Sequence, residues 1–369
     1  MIKSIQIQGY RGFSEFEMKD LARVNLLVGA NNSGKTSALE ALYLLASQGD
    51  PNSLWRVLWR RSERLPDRAA GNSPELDMCH LFTGHDMRME SRFGFKAEGD
   101  KSDRDVTFSI GEIGDEPRSK PPVREGVPLS SRFGLHIKGH PTPTAPIIPL
   151  SRFGGLSADA LEMPRRMQRK FASDQGMLSQ FITAESYSGN ELIALWETVA
   201  LTSNEERVLN ALRLLEPSIE KIASVSVTHD YYGGGNQRGG FRAKFKDVER
   251  PVPIGSLGDG IWRLLVMAIA IAQCKDGILL IDEIDTGLHY SVMADMWKLI
   301  YGAARELNVQ VFATTHSNDC IQSLAEVCCS EEEAGGNVTL QRIERGIKKS
   351  VAYTSKEIEA AAARGIEVR

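Results

Sequence analysis

Residues 2–9 alternate apolar and polar positions around Ile5 and Ile7, and a period of two predicts an opening strand. Gly9-Tyr10-Arg11-Gly12-Phe13 reads as a turn into a second strand through Glu15-Phe16-Glu17-Met18. Arg23-Val24-Asn25-Leu26-Leu27-Val28 is apolar nearly throughout, the pattern of a buried strand. The period then lengthens, and apolar residues at Leu39, Leu42 and Ala46 predict a helix over 37–46. A second helix is predicted over 51–68, with Trp55 and Trp59 on one face and Arg56 and Arg60 on another. It either grips phosphates or a partner protein, or buries its tryptophans and leaves its arginines solvated; the second is the expected arrangement.

Residues 70–155, rich in Gly, Pro and charge, predict short strands and loops. Ser-Arg-Phe-Gly begins at Ser91, Ser131 and Ser151, and the first two copies open segments that read as equivalent strands, 93–97 and 133–137. The similarity is too short for a repeat architecture. Residues 159–222 read as mostly helical, clearest at 191–196 and 205–215, with Pro217 ending the second. They hold no sustained heptads, which argues against a long coiled-coil arm. Arg165, Arg166, Arg169 and Lys170 form a local basic patch, whose commoner meaning is a solvated helix face. A hairpin is predicted from 224–227 and 241–246 around a glycine-rich tip at 231–240. An apolar helix over 261–273, buried strands over 277–281 and 309–313, a hairpin of 338–343 with 351–353, and a short helix from Ser355 complete the chain.

The 369 residues suffice for one large domain or two, and 42% hydrophobic with 25% charged residues is globular composition. A net charge of −4 gives no global attraction to nucleic acid, so any DNA contact must be local. Five scattered cysteines argue against a disulfide framework and for a reducing cytoplasm. Cys79-His80 with His85 nearby hints at a metal, but no second ligand pair follows, so no metal is expected there. Residues 1–5 lead directly into a strand, without the apolar core of a signal peptide, and the longest apolar run, 264–272, is too short to span a bilayer. No membrane association is expected.

Gly29-Ala30-Asn31-Asn32-Ser33-Gly34-Lys35-Thr36 fits the phosphate loop G-x-x-x-x-G-K-[ST], in its required place between strand and helix. The loop's backbone N–H groups and the helix N-terminus, worth about half a positive charge, bind phosphate oxygens. Lys35 neutralises phosphate charge, and the Thr36 hydroxyl is suited to Mg²⁺. Ile278-Leu279-Leu280-Ile281-Asp282-Glu283 is an apolar strand ending in two acids, delivering Asp282 to the metal and Glu283 to the attacking water. The strand ending at Thr314-Thr315-His316 points His316 into the crevice beside them, to donate to the γ-phosphate or orient water. Gly255-Ser256-Leu257-Gly258-Asp259-Gly260 opens the apolar helix and is a second anion site. Two such sites require two nucleotides, or one nucleotide held between two chains.

In this order the motifs resemble an ABC-type ATPase head, most closely that of the RecF/SMC/OLD branch, which includes the AAA family ATPases of bacterial defence and DNA-repair operons. Residues 5–13 resemble that branch's opening, with Arg11 at the arginine expected near the nucleotide, and Asn31-Asn32-Ser33-Gly34-Lys35-Thr36, followed by Ser37, resembles its loop. Asp282-Glu283-Ile284-Asp285-Thr286-Gly287-Leu288-His289 resembles its acidic run, with His289 in place of the D-loop aspartate. The signature departs from L-S-G-G-Q: its Ser and Gly roles fall to Ser256 and Gly258, or, in the other register, to Gly258 and Gly260. Gln180 is the candidate for the Q-loop glutamine.

The resemblance covers residues 1–50 and 180–330. It implies an α/β P-loop NTPase with a β-rich N-terminal lobe (1–50), a mixed α/β insertion (51–180), a segment carrying signature, Walker B and switch histidine (181–330), and a C-terminal hairpin and helix (331–369). It implies ATP and Mg²⁺ as ligands and a homodimer or higher oligomer closed on nucleotide. About 40 residues follow the last helix of the head, fewer than a TOPRIM nuclease needs, so the expected output is control of a separate effector, such as a nuclease of an antiphage system. The alternatives are a RecF-like ATPase binding duplex DNA through Arg56, Arg60 and Arg61, and a non-hydrolysing scaffold clamped by ATP.

Overall fold

The computed structural model describes residues 1–66, 74–100, 102–113, 133–140, 147–151, 153–161, 177–183, 187, 189–225, 240–330 and 336–368. The basic patch at 165–170 and the tip at 231–239 lie outside them, and the helix expected over 51–68 ends at Arg60, with 61–66 in turn and irregular chain.

The chain opens with β1 (Ile2–Tyr10) and β2 (Phe13–Met18), an antiparallel hairpin, then β3 (Val24–Val28), the phosphate loop, α1 (Lys35–Ala46) and α2 (Pro51–Arg60). The short β4 (Glu75–Asp77) precedes β5 (Arg92–Gly99), β6 (Arg104–Glu112), β7 (Phe133–His140) and β8 (Ile148–Pro149). These last four extend the opening hairpin into one six-stranded sheet, ordered β2-β1-β5-β6-β7-β8. The division at residue 50 therefore does not separate two bodies, because β5 pairs directly with β1. The first two Ser-Arg-Phe-Gly copies open β5 and β7, which flank β6 on either side, whereas Phe153 and Gly154 of the third copy lie in a turn.

After β9 (Gly155–Ser157), which pairs with β4, the predicted helical stretch contains a strand, β10 (Ser179–Ile182), before α3 (Gly189–Glu197) and α4 (Ser203–Arg213). Its four residues are too few to reveal a period. The expected hairpin gains a third strand: β11 (Ile219–Ser224), β12 (Phe241–Phe245) and β13 (Val248–Pro253) form a small antiparallel sheet. Then follow α5 (Asp259–Gln273), β14 (Ile278–Ile281), α6 (Met293–Glu306), β15 (Gln310–Thr314), α7 (Asn318–Ser330), β16 (Val338–Arg342), β17 (Val351–Thr354) and α8 (Ser355–Ala363).

The second six-stranded sheet runs β10-β14-β15-β3-β16-β17, parallel except for β17. Its inner strands β14, β15 and β3 are buried on both faces, which explains their nearly unbroken apolar sequence. Leu279, Ile281, Val311 and Ala313 face one core with α3 to α8; Ile278, Leu280 and Phe312 face another, which contains α1 and the first sheet. Helix α1 is thus held between two sheets. The C-terminal hairpin is no appendage, since β16 lies beside β3 in the central sheet.

Candidate functional site

In the central sheet β15 lies between β14 and β3, so the carboxyl ends of three parallel strands meet, the place where open α/β sheets bind ligands. From β3 comes the phosphate loop. Gly29 and Gly34 adopt φ of 144° and 106°, and a Cβ on them would come within 2.2 Å of the Ile343 carbonyl oxygen and 2.5 Å of the Phe13 ring. No other residue type fits either position. Asn31 and Asn32 are exposed, Asn32 with φ 62°, and Ser37 is half-buried in the first turn of α1.

Two polar groups of the loop lack the partners that their chemistry calls for. The Ser33 hydroxyl is buried without a hydrogen-bond partner. The Lys35 ammonium, half-buried, donates to the Gly29 and Ala30 carbonyls at 2.8 and 3.0 Å, and burial lowers its pKa against the pull of Asp282 and Glu283. A donor-rich cradle with an underused cation fits a polyphosphate, such as that of a nucleotide.

From β14 come Asp282 and Glu283. The Thr36 hydroxyl donates to Asp282 Oδ2 at 2.9 Å, joining residues 246 positions apart, and Thr314 at the end of β15 donates to Asp282 Oδ1 at 2.5 Å. Burial raises the Asp282 pKa, while the two threonine hydroxyls pull it down. A carboxylate beside a hydroxyl is the donor set of a Mg²⁺ site, so Thr36 and Asp282 are the residues that would hold that ion. Thr314 also accepts the Glu283 N–H at 2.8 Å. Glu283 itself sits at φ 50°, a backbone conformation that side chains other than glycine rarely adopt and that clusters at functional sites. Sequence reading missed Thr314, although it lies two residues before His316.

It also missed Arg263 on α5. This buried guanidinium donates to the carbonyls of Thr183, Asp282 and Glu283 at 2.7, 2.9 and 2.9 Å, and burial lowers its pKa to about 10. It ties the helix behind the signature turn to the end of β14 and to the chain after β10.

His316 follows β15 and is exposed, beside Thr315, whose hydroxyl donates to Asp285 at 2.6 Å. His289 is exposed and pairs through Nδ1 with the Ser291 hydroxyl at 2.9 Å. Ser256 and Gly258 are exposed, and a Cβ on Gly260 would lie 3.3 Å from the Gly287 carbonyl, so the signature turn rests on the loop that follows Walker B. Gln180 lies in β10 and accepts from the Tyr187 hydroxyl at 2.8 Å.

Two expectations are corrected. Arg11, expected at the nucleotide, is buried in an ion-pair network: it donates to Glu40 on α1 at 2.6 Å and to both oxygens of Glu63 at 2.6 and 3.1 Å. Burial works against its charge, but Tyr10, Glu40 and Glu63 outweigh it and raise its pKa. In α2 the core stripe is Leu54, Val57 and Leu58, the i, i+3, i+4 set, rather than the tryptophans. Trp59 is 42% exposed and stacks on Trp55. The arginines are used within the chain: Arg60 lies 4.6 Å from the Phe181 ring centroid and Arg61 pairs with Glu40 at 2.6 Å.

The family described as "AAA domain, putative AbiEii toxin, Type IV TA system" matches residues 24–319. An "ATP/GTP phosphatase" of Helicobacter pylori is 24% identical over 354 residues, covering 89% of this chain and 88% of the relative. A DNA replication and repair protein RecF of Geobacter metallireducens is 32% identical over 135 residues, covering 36% of this chain and 29% of the relative. Among solved structures, an Smc head bound to the C-terminal winged-helix domain of ScpA matches with a TM-score of 0.51 at 12% identity, covering 96% and 97% of the two chains. An Smc head from Pyrococcus furiosus with an extended coiled coil, bound to the C-terminal domain of ScpA, matches at 0.50 and 10%, with 98% of each chain covered.

Proposed function

This chain belongs to the AAA-domain family that matches residues 24–319, and on that premise we propose that it is an ATP-driven switch whose two copies close on nucleotide. The ATPase is of the ABC type, in the RecF/SMC branch. The observation that carries the switch is the division of the site. Lys35, Thr36, Asp282 and Glu283 gather at one crevice, while in the signature turn Gly258 stands exposed at the N-terminus of α5 and the half-buried Gly260 rests against Gly287. A second chain, related head to tail, would bring that turn to the first chain's nucleotide.

In the proposed reaction Lys35 and the loop N–H groups bind the β- and γ-phosphates of ATP, and Glu283 accepts the proton of the attacking water. Mg²⁺, when bound, neutralises charge that develops on the phosphate oxygens. Thr314 holds Asp282 and Glu283 in register, and His316 orients the water or donates to the γ-phosphate. Contacts to the γ-phosphate made by both chains give ATP its differential affinity for the closed state. Hydrolysis releases the pair. The output we propose is control of a separate effector protein, with a nuclease of antiviral defence as the favoured kind. Among the described residues no helix is long and apolar enough to cross a membrane.

The test is a mixing experiment. Lys35→Ala chains have no nucleotide of their own, and Gly258→Arg chains cannot close a partner's site. Each alone should release phosphate at background rate. Their mixture should recover activity, because one of the two sites then has every part intact. A mixture as inactive as its components, with both variants still folded, would refute closure in trans.

A further inference from the structure

The loop after Walker B carries an acid that the reaction above does not use. Thr315 is fully buried just past β15, where its N–H donates to the Leu27 carbonyl of β3 at 3.2 Å. Its hydroxyl donates to Asp285 Oδ1 at 2.6 Å and accepts the Ser317 N–H at 3.0 Å. A hydroxyl has one proton and two lone pairs. Committing the proton to the carboxylate turns a lone pair to Ser317, so the hydroxyl bridges the backbone across His316, whose ring is exposed.

Asp285 is itself held in place. Ile284 before it is buried and donates its N–H to the Thr314 carbonyl at 3.0 Å, and the Asp285 carbonyl accepts the Leu288 N–H at 3.0 Å. The Asp285 carboxylate bonds to Thr315 and stands apart from the Thr36–Asp282 pair suited to Mg²⁺.

On the switch reading given above, we propose that Asp285 is a positioning residue for His316. Its carboxylate fixes the Thr315 hydroxyl, and the hydroxyl fixes the turn that aims the imidazole at the nucleotide. A threonine hydroxyl bridges such a turn only weakly by itself. The charged acceptor gives the hydroxyl one orientation, and 2.6 Å lies in the range of a charge-assisted O–H···O⁻ bond. The same short loop carries Thr286, whose hydroxyl donates to Glu283 Oε2 at 3.2 Å, and Gly287, against which Gly260 of the signature turn rests. Asp285 is the member of this loop that reaches the His316 turn.

The test is a double-mutant cycle on phosphate release by the full chain, read beside the His316 imidazole signal in NMR. Asp285→Ala, Thr315→Val and His316→Ala should each lower kcat by about 10- to 100-fold, as misplacement of a reacting group does, with KM for ATP changed far less. Asp285→Ala added to His316→Ala should lower kcat no further, because its effect passes through the imidazole. The His316 ring signal, assigned by its loss in His316→Ala, should shift in Asp285→Ala and Thr315→Val and return in Thr315→Ser, which keeps the hydroxyl. Asp285→Asn, isosteric and lacking only the charge, repeats the cycle should Asp285→Ala fail to fold. Losses that multiply, full turnover in His316→Ala beside slow turnover in Asp285→Ala, or an unmoved ring signal would overturn the proposal. The switch reading fails on a different measurement, the mass of Glu283→Gln with ATP, in which Asp285 is untouched.

Discussion

Arg263 donates a hydrogen bond to the main-chain carbonyl of Glu283 at 2.9 Å. The contact joins the helix that follows the signature turn to the residue we propose activates water, and with the parallel bond to the Asp282 carbonyl it fixes the end of the Walker B strand. A hydrogen bond from a charged donor is worth about 1.5–3 kcal/mol. Arg263→Met should therefore lower phosphate release by about tenfold or more, at 1.4 kcal/mol per tenfold. Binding of a non-hydrolysable ATP analogue should be retained. Unchanged turnover would show that the strand end is held without it.

Arg11 is held in a buried ion-pair network within the chain. It is paired with Glu40 and Glu63, and the Arg11 and Glu40 side chains are only 7% and 4% exposed. Removing Arg11 takes the cation from Glu63, while Glu40 keeps Arg61, and breaking one side of a buried pair costs about 3–5 kcal/mol. Arg11→Met should lower the unfolding free energy measured in urea by up to that amount, and Glu63→Gln in the same background should restore part of it. A loss of ATP affinity at unchanged stability would return Arg11 to the nucleotide.

The Asp282 titration sets a pH dependence. Its pKa is raised by burial, so the folded chain holds a proton at pH values where the unfolded chain has released it. The stability tied to that proton is present below the ordinary carboxylate range and is lost as pH rises through the raised value. Activity should have the opposite sign, because the ionised form is the one that would hold the proposed Mg²⁺. The acid limb of kcat/KM should therefore lie above the ordinary Asp value of about 3.9. Thr314→Val removes a hydrogen bond that favours the ionised form and should move the limb to still higher pH. A limb that stays in place would exclude Asp282 as its source.

Gly34 tests the cradle. A Cβ there would lie 2.5 Å from the Phe13 ring at a φ of 106°. Gly34→Ala should abolish nucleotide binding, and adding Phe13→Ala should recover the fold but not full affinity, because the backbone strain persists. Full recovery of affinity would mean that only space, and not φ, matters.

What the sequence made legible follows from how each feature is encoded. Lys35, Thr36, Asp282 and Glu283 were readable because each sits at a fixed offset from a buried strand, and the fold brings Thr36 onto Asp282. Strand β10 was hidden, since its four residues carry no period and lie in a stretch of helical pattern. Arg263 and Thr314 were invisible because their role depends on burial against distant carbonyls and a carboxylate, not on neighbours in the chain.

The central claim is that ATP closes two copies on each other and hydrolysis parts them. Light scattering of Glu283→Gln measures it most directly. With ATP and Mg²⁺ the variant should run at twice the mass of the chain without nucleotide, and Lys35→Ala introduced into it should return the single-chain mass. Bound ATP with no change in mass would contradict the account.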